Sequence, residues 1–188
     1  MANLILASES PRRRELLTIA GFQFTVRARP VPEARAKGES PVDYARRLAR
    51  EKAAAAAPQP GEIVLGADTV VVVGNRILEK PADSEEARAM LRQISGREHA
   101  VITGICFMHA GGSIVDHAST EVRFAAMSDA EIDAYAASGE PMGKAGAYAI
   151  QGLASKFVER IDGCYFNVMG LPLARLSQML RELGWSEE

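Results

Sequence analysis

From Ile63 to Val73 the chain is apolar almost without a break, with Asp68 and Thr69 the polar residues inside it. A continuous apolar run of this kind predicts a central strand covered on both faces, not one with a wet side. Gly74-Asn75 follows as a tight turn, and Arg76 to Leu78 returns as a short second arm of a hairpin. Shorter apolar runs at Leu4 to Leu6 and Phe22 to Val26 predict two more strands, and residues 98–109 and 113–125 predict two longer ones around Gly111-Gly112. Residues 145–151 alternate small with large side chains and read as a strand. Lys156 to Ile161 reads as another, turned by Asp162-Gly163. Gly146 and Gly152 there suggest close approach of another element.

Between these runs the apolar spacing changes to that of helices. Ser10 before Pro11 reads as a side-chain cap with proline at the first helical position, and Leu16, Leu17 and Ile19 point inward before Gly21. Ser40-Pro41-Val-Asp43 starts a second helix, with Tyr44, Leu48 and Ala55 as its stripe and Pro58 beyond its end. Asp83 and Glu86 start a third, with Ala87, Met90, Leu91 and Ile94 inward and Gly96 as its stop. Ser128-Asp-Ala-Glu131 is a capping box for a fourth, ending at Gly139, and Leu173, Leu176, Leu180 and Leu183 stripe the last. Residues 27–39, rich in proline and charge, read as a loop. Strands, helices and hairpins in this order predict an α/β fold with a central mixed sheet flanked by helices. With no repeat and no linker, residues 1–188 read as a single domain.

A formal net charge of −2 removes any broad basic field, so stable nucleic-acid binding is not expected and an anionic ligand has to be held locally. Cys106 and Cys164 lie far apart, without zinc or disulfide spacing, which suits a reducing compartment. No apolar run reaches membrane-spanning length and no signal peptide is evident, so the expectation is a cytoplasmic protein without a membrane partner. A homodimer is the expected assembly.

Chemistry gathers at a few points. Ser8 and Ser10 offer hydroxyls at a turn, and Arg12, Arg13 and Arg14 crowd the first turn of the helix, where the macrodipole is already positive. Two readings stand: a phosphate site built from N–H groups, hydroxyls and guanidinium forks, or a capped surface helix with solvated arginines. Asp68 in its apolar run requires a partner or a metal, and Gly66 and Ala67 beside it leave room for a ligand. Lys52 on the second helix and Lys80 after the hairpin each read as ordinary surface lysines by themselves. The hairpin can bring Lys80 to the same side of the sheet as Asp68. His99, His109 and His117 lack metal-ligand spacing and read as structural or exposed. Gly143-Lys144 imitates a P-loop, but Walker spacing meets Ser138 where glycine is required and Ala145 where Ser or Thr is required.

In order and spacing, Leu6-Ala-Ser-Glu-Ser-Pro-Arg-Arg13, Arg50-Glu-Lys52, Gly66-Ala-Asp-Thr-Val70, Lys80-Pro81, Ser95-Gly96, Thr103-Gly104, Lys144 to Gly152 and Val168 to Leu173 form one pattern. Nearly end to end, the chain resembles the Maf nucleotide pyrophosphatases, the septum-formation inhibitor or Maf/Ham1-like family. Phe166 and Met169 depart from the residues often found there, with no consequence for the chemistry. The resemblance implies an elongated two-lobed fold with a ligand cleft, and hydrolysis of a nucleoside triphosphate to the monophosphate and pyrophosphate. It implies a divalent metal cation, Mg2+ or Mn2+.

By the same resemblance the catalytic positions fall on Ser8, Arg13, Lys52, Asp68, Lys80 and Gln151, with Asp68 as proton acceptor. Arg12, Thr69 and Gln151 carry the pattern of the branch that prefers dTTP and UTP. The branch acting on 7-methyl-guanosine triphosphate has tryptophan, glutamine and glutamate there instead. Asp68 and Glu33 are the implied metal ligands. Whether Asp68 serves as metal ligand or as base stays open in the sequence. The other reading is a non-catalytic nucleotide-binding regulator of cell division, which would need the phosphate clamp but not Asp68.

Overall fold

The computed structural model describes residues 3–185. Its strands are β1 (Asn3–Leu6), β2 (Phe24–Val26), β3 (Glu62–Val73), β4 (Arg76–Leu78), β5 (Glu98–His109), β6 (Gly112–Phe124) and β7 (Val158–Asp162). Its α-helices are α1 (Pro11–Ile19), α2 (Pro41–Ala55), α3 (Ser84–Ile94), α4 (Asp129–Ala137), α5 (Tyr165–Met169) and α6 (Leu173–Glu182). The strands form one seven-stranded sheet in the order β2-β1-β3-β5-β6-β7, with β4 paired to β3. β1 runs parallel to β2 and β3, whereas β3–β4 and β6–β7 are antiparallel, so the sheet is mixed as expected.

Two compact units divide the chain: Met1–Asp68 with Thr103–Ala118 and Gly170–Glu188, and Thr69–Ile102 with Ser119–Met169. β3, β5 and β6 each contribute to both, and in β3 the division falls between Asp68 and Thr69.

In the first unit Ile5, Ala7, Ala49, Ala53, Ala56, Val64 and Cys106 pack into one cluster. Small residues on α2 let its backbone lie directly on the sheet. A Cβ at Gly66 would stand 2.1 Å from Ala49 O, and one at Gly104 would stand 2.3 Å from Ala45 O. The space at Gly66 therefore belongs to α2 and not to a ligand. The buried stripe of α2 is Tyr44, Ala45, Leu48, Ala49 and Ala53, displaced from the expected Ala55 because the contact is made by alanines on the sheet side. On α1, Leu16 and Leu17 are buried as expected, but Ile19 is 66% exposed.

The second unit holds the β3–β4 hairpin, with Val71 opposite Leu78. Arg88 pairs with Asp133 at 2.8 Å and Arg92 with Asp129 at 3.1 Å, tying α3 to α4. Residues 145–151 are not a strand. Ala145–Ala147 forms a 3-10 turn in which Gly146 and Ala147 have φ of 69° and 60°, a left-handed backbone that a strand does not use. Gly146 is also tight: a Cβ there would meet Val71 at 2.8 Å. Lys156 lies in a further 3-10 stretch, Leu153–Phe157, so the strand expected from Lys156 begins only at Val158.

Candidate functional site

Parallel register builds the first half of the site. β1 and β3 run side by side with Leu6 opposite Leu65, and the Ala7 N–H donates to Leu65 O at 2.8 Å. Ser8 thus leaves β1 at the end where β3 reaches Ala67 and Asp68. This is the carboxyl end of β1, beside the middle of the longer β3, and the carboxyl ends of parallel strands are the usual place for ligand chemistry in such sheets.

The turn that follows differs from expectation in one respect. Ser10 precedes α1 but its side chain makes no cap; instead its N–H donates to Ser8 Oγ at 3.3 Å. Pro11 still occupies the start of the helix. Arg13 is turned into the protein and is 9% exposed. Its Nε donates to Gly170 O at 2.9 Å, and its Nη1 donates to Ala67 O at 2.9 Å and Ser8 Oγ at 3.2 Å. One guanidinium therefore joins the turn after β1, the middle of β3 and the segment before α6. Burial lowers its pKa from the usual arginine value, and the charge of Asp68 works against that shift. Arg12 is half-buried, and burial lowers its pKa as well. Arg14 stays exposed and donates to Glu9 O at 2.8 Å.

α2 supplies the second half. Gly66 and Asp68 share a face of β3 by strand alternation, so the face that receives α2 also carries the carboxylate. Lys52 Nζ lies 2.6 Å from Asp68 Oδ1 and 2.6 Å from Glu33 Oε1. β3 runs unbroken through Asp68, which is 7% exposed, so its charge is met within the fold. Glu33 comes from the proline-rich loop, which α2 holds in place. Tyr44 donates its hydroxyl to Glu33 O at 3.0 Å, and Arg47 donates to Ala34 O at 2.9 Å. By its place in the helical stripe Tyr44 reads as core alone. The signal for its second role is a polar tip on a residue one turn into the helix.

Ser8, Arg12, Arg13, Glu33, Lys52 and Asp68 all belong to the first unit, and Ser8, Arg13, Lys52, Glu33 and Asp68 are linked by contacts and neighbouring charge.

The family model for Maf-like proteins matches residues 3–183, a span that includes every one of these positions. The chain belongs to the Maf-like family. It is 52% identical over 182 residues to a dTTP/UTP pyrophosphatase of Koribacter versatilis, covering 96% of this chain and 94% of that one. It is 52% identical over 186 residues to a dTTP/UTP pyrophosphatase of Sphingopyxis alaskensis, covering 98% of each. A third such enzyme, from Pelotomaculum thermopropionicum, is 48% identical over 189 residues and 99% of each chain.

The remaining Maf-like positions lie in the second unit. Thr69 follows Asp68 on β3 and is half-buried. Lys80 is exposed, beyond the end of β4. The ladder stops at Val71–Leu78, so it does not fix the side of the sheet on which Lys80 lies. Gln151 is exposed in the turn that follows Ile150. His99 is structural, as expected: it is 2% exposed and its Nε2 lies 2.8 Å from Tyr148 Oη.

Proposed function

We propose that the chain hydrolyses dTTP and UTP to the nucleoside monophosphate and pyrophosphate. The observation that carries the reading is the junction of Lys52 with Asp68 and Glu33, built within a chain whose full-length relatives are dTTP/UTP pyrophosphatases. Water adds across the α–β phosphoanhydride: its oxygen bonds to phosphorus, pyrophosphate leaves, and its proton passes to Asp68. A triphosphate carries several negative charges, and positioned cations are most of what such a transfer requires. Lys52 and Lys80 supply them directly. Arg13, bound to Ala67 O and Gly170 O, contributes charge while holding Ser8 and the middle of β3 in place. Ser8 donates to a phosphate oxygen.

Asp68 and Glu33 fit a divalent cation. Both carboxylates already converge on one small cation, the ammonium of Lys52, and hard oxygen donors of this kind suit Mg2+ or Mn2+. A divalent cation of this kind would be held by these one or two carboxylates together with substrate phosphates. When bound, the metal supplies charge neutralisation at the phosphate oxygens.

Arg12, Thr69 and Gln151 select the nucleotide. Gln151 has both a donor and an acceptor, which suits a pyrimidine edge. Pyrophosphate release measured across standard and modified nucleoside triphosphates, with Mg2+ or Mn2+, tests the reading. Release is expected to be fastest with pyrimidine triphosphates, dTTP and UTP first. Binding with no release from any nucleotide overturns the enzyme reading in favour of a regulator.

A further inference from the structure

Gln151 sits exposed in its turn, yet the chain on both sides of it is fixed from below. Two residues before it, the Ala149 N–H donates to Tyr135 Oη at 3.1 Å. Two residues after it, the Leu153 N–H donates to Glu140 Oε1 and Oε2 at 3.0 and 3.1 Å. The two anchors are joined, because the Tyr135 hydroxyl donates to Glu140 Oε1 at 2.8 Å. Tyr135 is 4% exposed, and burial raises its pKa, so the phenol keeps the proton it donates. At the head of the segment, Tyr148 is held edge-on to His99 and Phe124.

Gly152 shows how close the brace comes. A Cβ there would stand 2.2 Å from Glu140 Oε2 and 2.5 Å from its Cδ. The atoms that a methyl at Gly152 would meet are those of the Glu140 carboxylate, so a side chain there displaces the brace itself. Neither Glu140 nor Tyr135 has a place in the chemistry above, and their bonds converge on the segment that carries Gln151.

We propose that Glu140, together with Tyr135, is a positioning residue for substrate choice: it fixes the Ala149–Leu153 arch so that Gln151 meets the base in one pose. The proposal rests on Gln151 as the base selector. A side chain on an unbraced turn samples many poses, and a displacement of about 1 Å at a recognising group weakens the productive complex by up to about a hundredfold.

Steady-state kinetics of Glu140→Ala, Glu140→Gln, Tyr135→Phe, Gly152→Ala and Gln151→Ala with dTTP, UTP, CTP and GTP test it. Glu140→Ala and Gly152→Ala are expected to raise KM for dTTP and UTP about tenfold and narrow their lead over CTP and GTP, with kcat within about threefold. Glu140→Gln is expected to restore KM, because one amide oxygen at the Oε1 position can accept from both Tyr135 and Leu153. Gly152→Ala and Tyr135→Phe give the same readout if Glu140→Ala fails to fold. Unchanged KM and ranking in the folded brace variants, beside a changed Gln151→Ala, overturn this proposal alone. So does an equal loss of kcat for all nucleotides at constant KM. Wild-type behaviour of Gln151→Ala overturns the selector reading and this proposal with it.

Discussion

Lys52 Nζ stands 2.6 Å from Asp68 Oδ1 and 2.6 Å from Glu33 Oε1, so one ammonium joins a carboxylate inside the sheet to one on a loop. The two pairs are not equivalent. The Asp68 side chain is 10% exposed and the Glu33 side chain 40%, so water screens the loop pair much more than the sheet pair. Removing the ammonium leaves the buried Asp68 carboxylate without the ion pair at 2.6 Å, a change that costs about 3 kcal/mol. Lys52→Met is therefore expected to lower stability by roughly that amount and to abolish pyrophosphate release. The double variant Lys52→Met/Asp68→Asn is expected to regain much of the stability and none of the activity. Urea unfolding of the four proteins of this cycle measures the coupling, and independent, additive losses would show that the pair is not coupled.

Asp68→Asn keeps the shape and removes the charge and the basicity. Hydrolysis is expected to fall by about a hundredfold to ten-thousandfold, with an unchanged circular dichroism spectrum. Near-normal turnover would remove Asp68 from the reaction.

Glu33 reaches Lys52 from a loop whose backbone Tyr44 holds by its hydroxyl at 3.0 Å. Tyr44→Phe removes that bond and leaves the ring in the core. The expected outcome is a stability loss of about 1 kcal/mol and a several-fold weaker activation by Mg2+ at saturating nucleotide. Titration of activity with Mg2+ checks it, and an unchanged half-saturating concentration would separate Glu33 from the metal.

Much of this arrangement is legible in the sequence, for reasons that differ by residue. The strand through Ile63 to Val73 shows itself by continuous apolarity, and the caps at Ser40, Asp83 and Ser128 by side chains that do bond the expected N–H groups. These are local signals. Ser10 looks the same and makes no cap, and its own N–H is donated to Ser8 Oγ. Residues 145–151 mislead because alternation of size mimics a strand, while the φ of 69° at Gly146 is invisible in letters. In the site, Asp68 announces itself as a charge in an apolar run, but Lys52 looks like any helix lysine. Its role depends on Gly66 and Gly104 seating α2 on the sheet, a contact between segments distant in sequence. Arg13 is visible as a misplaced cation, whereas its bonds to Ala67 O and Gly170 O come from backbone that carries no residue signature.

Gly66 offers a direct test of that seating. A Cβ there would meet Ala49 O at 2.1 Å and Ala53 N at 2.7 Å, both backbone atoms of α2 that cannot rotate away. Gly66→Ala is expected to push α2 off β3, lengthen the Lys52–Asp68 contact and destabilise by about 3 kcal/mol. Gly21→Ala is a control for added methyl volume alone, since a Cβ at Gly21 would have nothing within 4 Å, although the φ of +84° there carries a backbone strain of its own. Activity lost in Gly66→Ala and kept in Gly21→Ala, at temperatures where both are folded, ties the loss to the helix position.

His99 sets a pH dependence of stability whose sign follows from its burial. It is 2% exposed, its Nδ1 has no hydrogen-bond partner among the described residues, and burial lowers its pKa to about 4 from an ordinary 6.5. The folded state thus keeps the ring neutral while the unfolded chain takes up a proton below about pH 6.5. The contribution is fully present above that pH and is lost as pH falls toward about 4, amounting to on the order of 3 kcal/mol. Urea midpoints are expected to drop across this window in the native protein. His99→Gln, which can still bond Tyr148, is expected to flatten the drop while carboxylates such as Glu39, held down to about 2 by Arg47, continue to act at lower pH. Parallel curves for the two proteins between about pH 7 and about pH 4.5 would show that His99 is charged in the fold, and that the aromatic cage of Phe124 and Tyr148 does not exclude the proton.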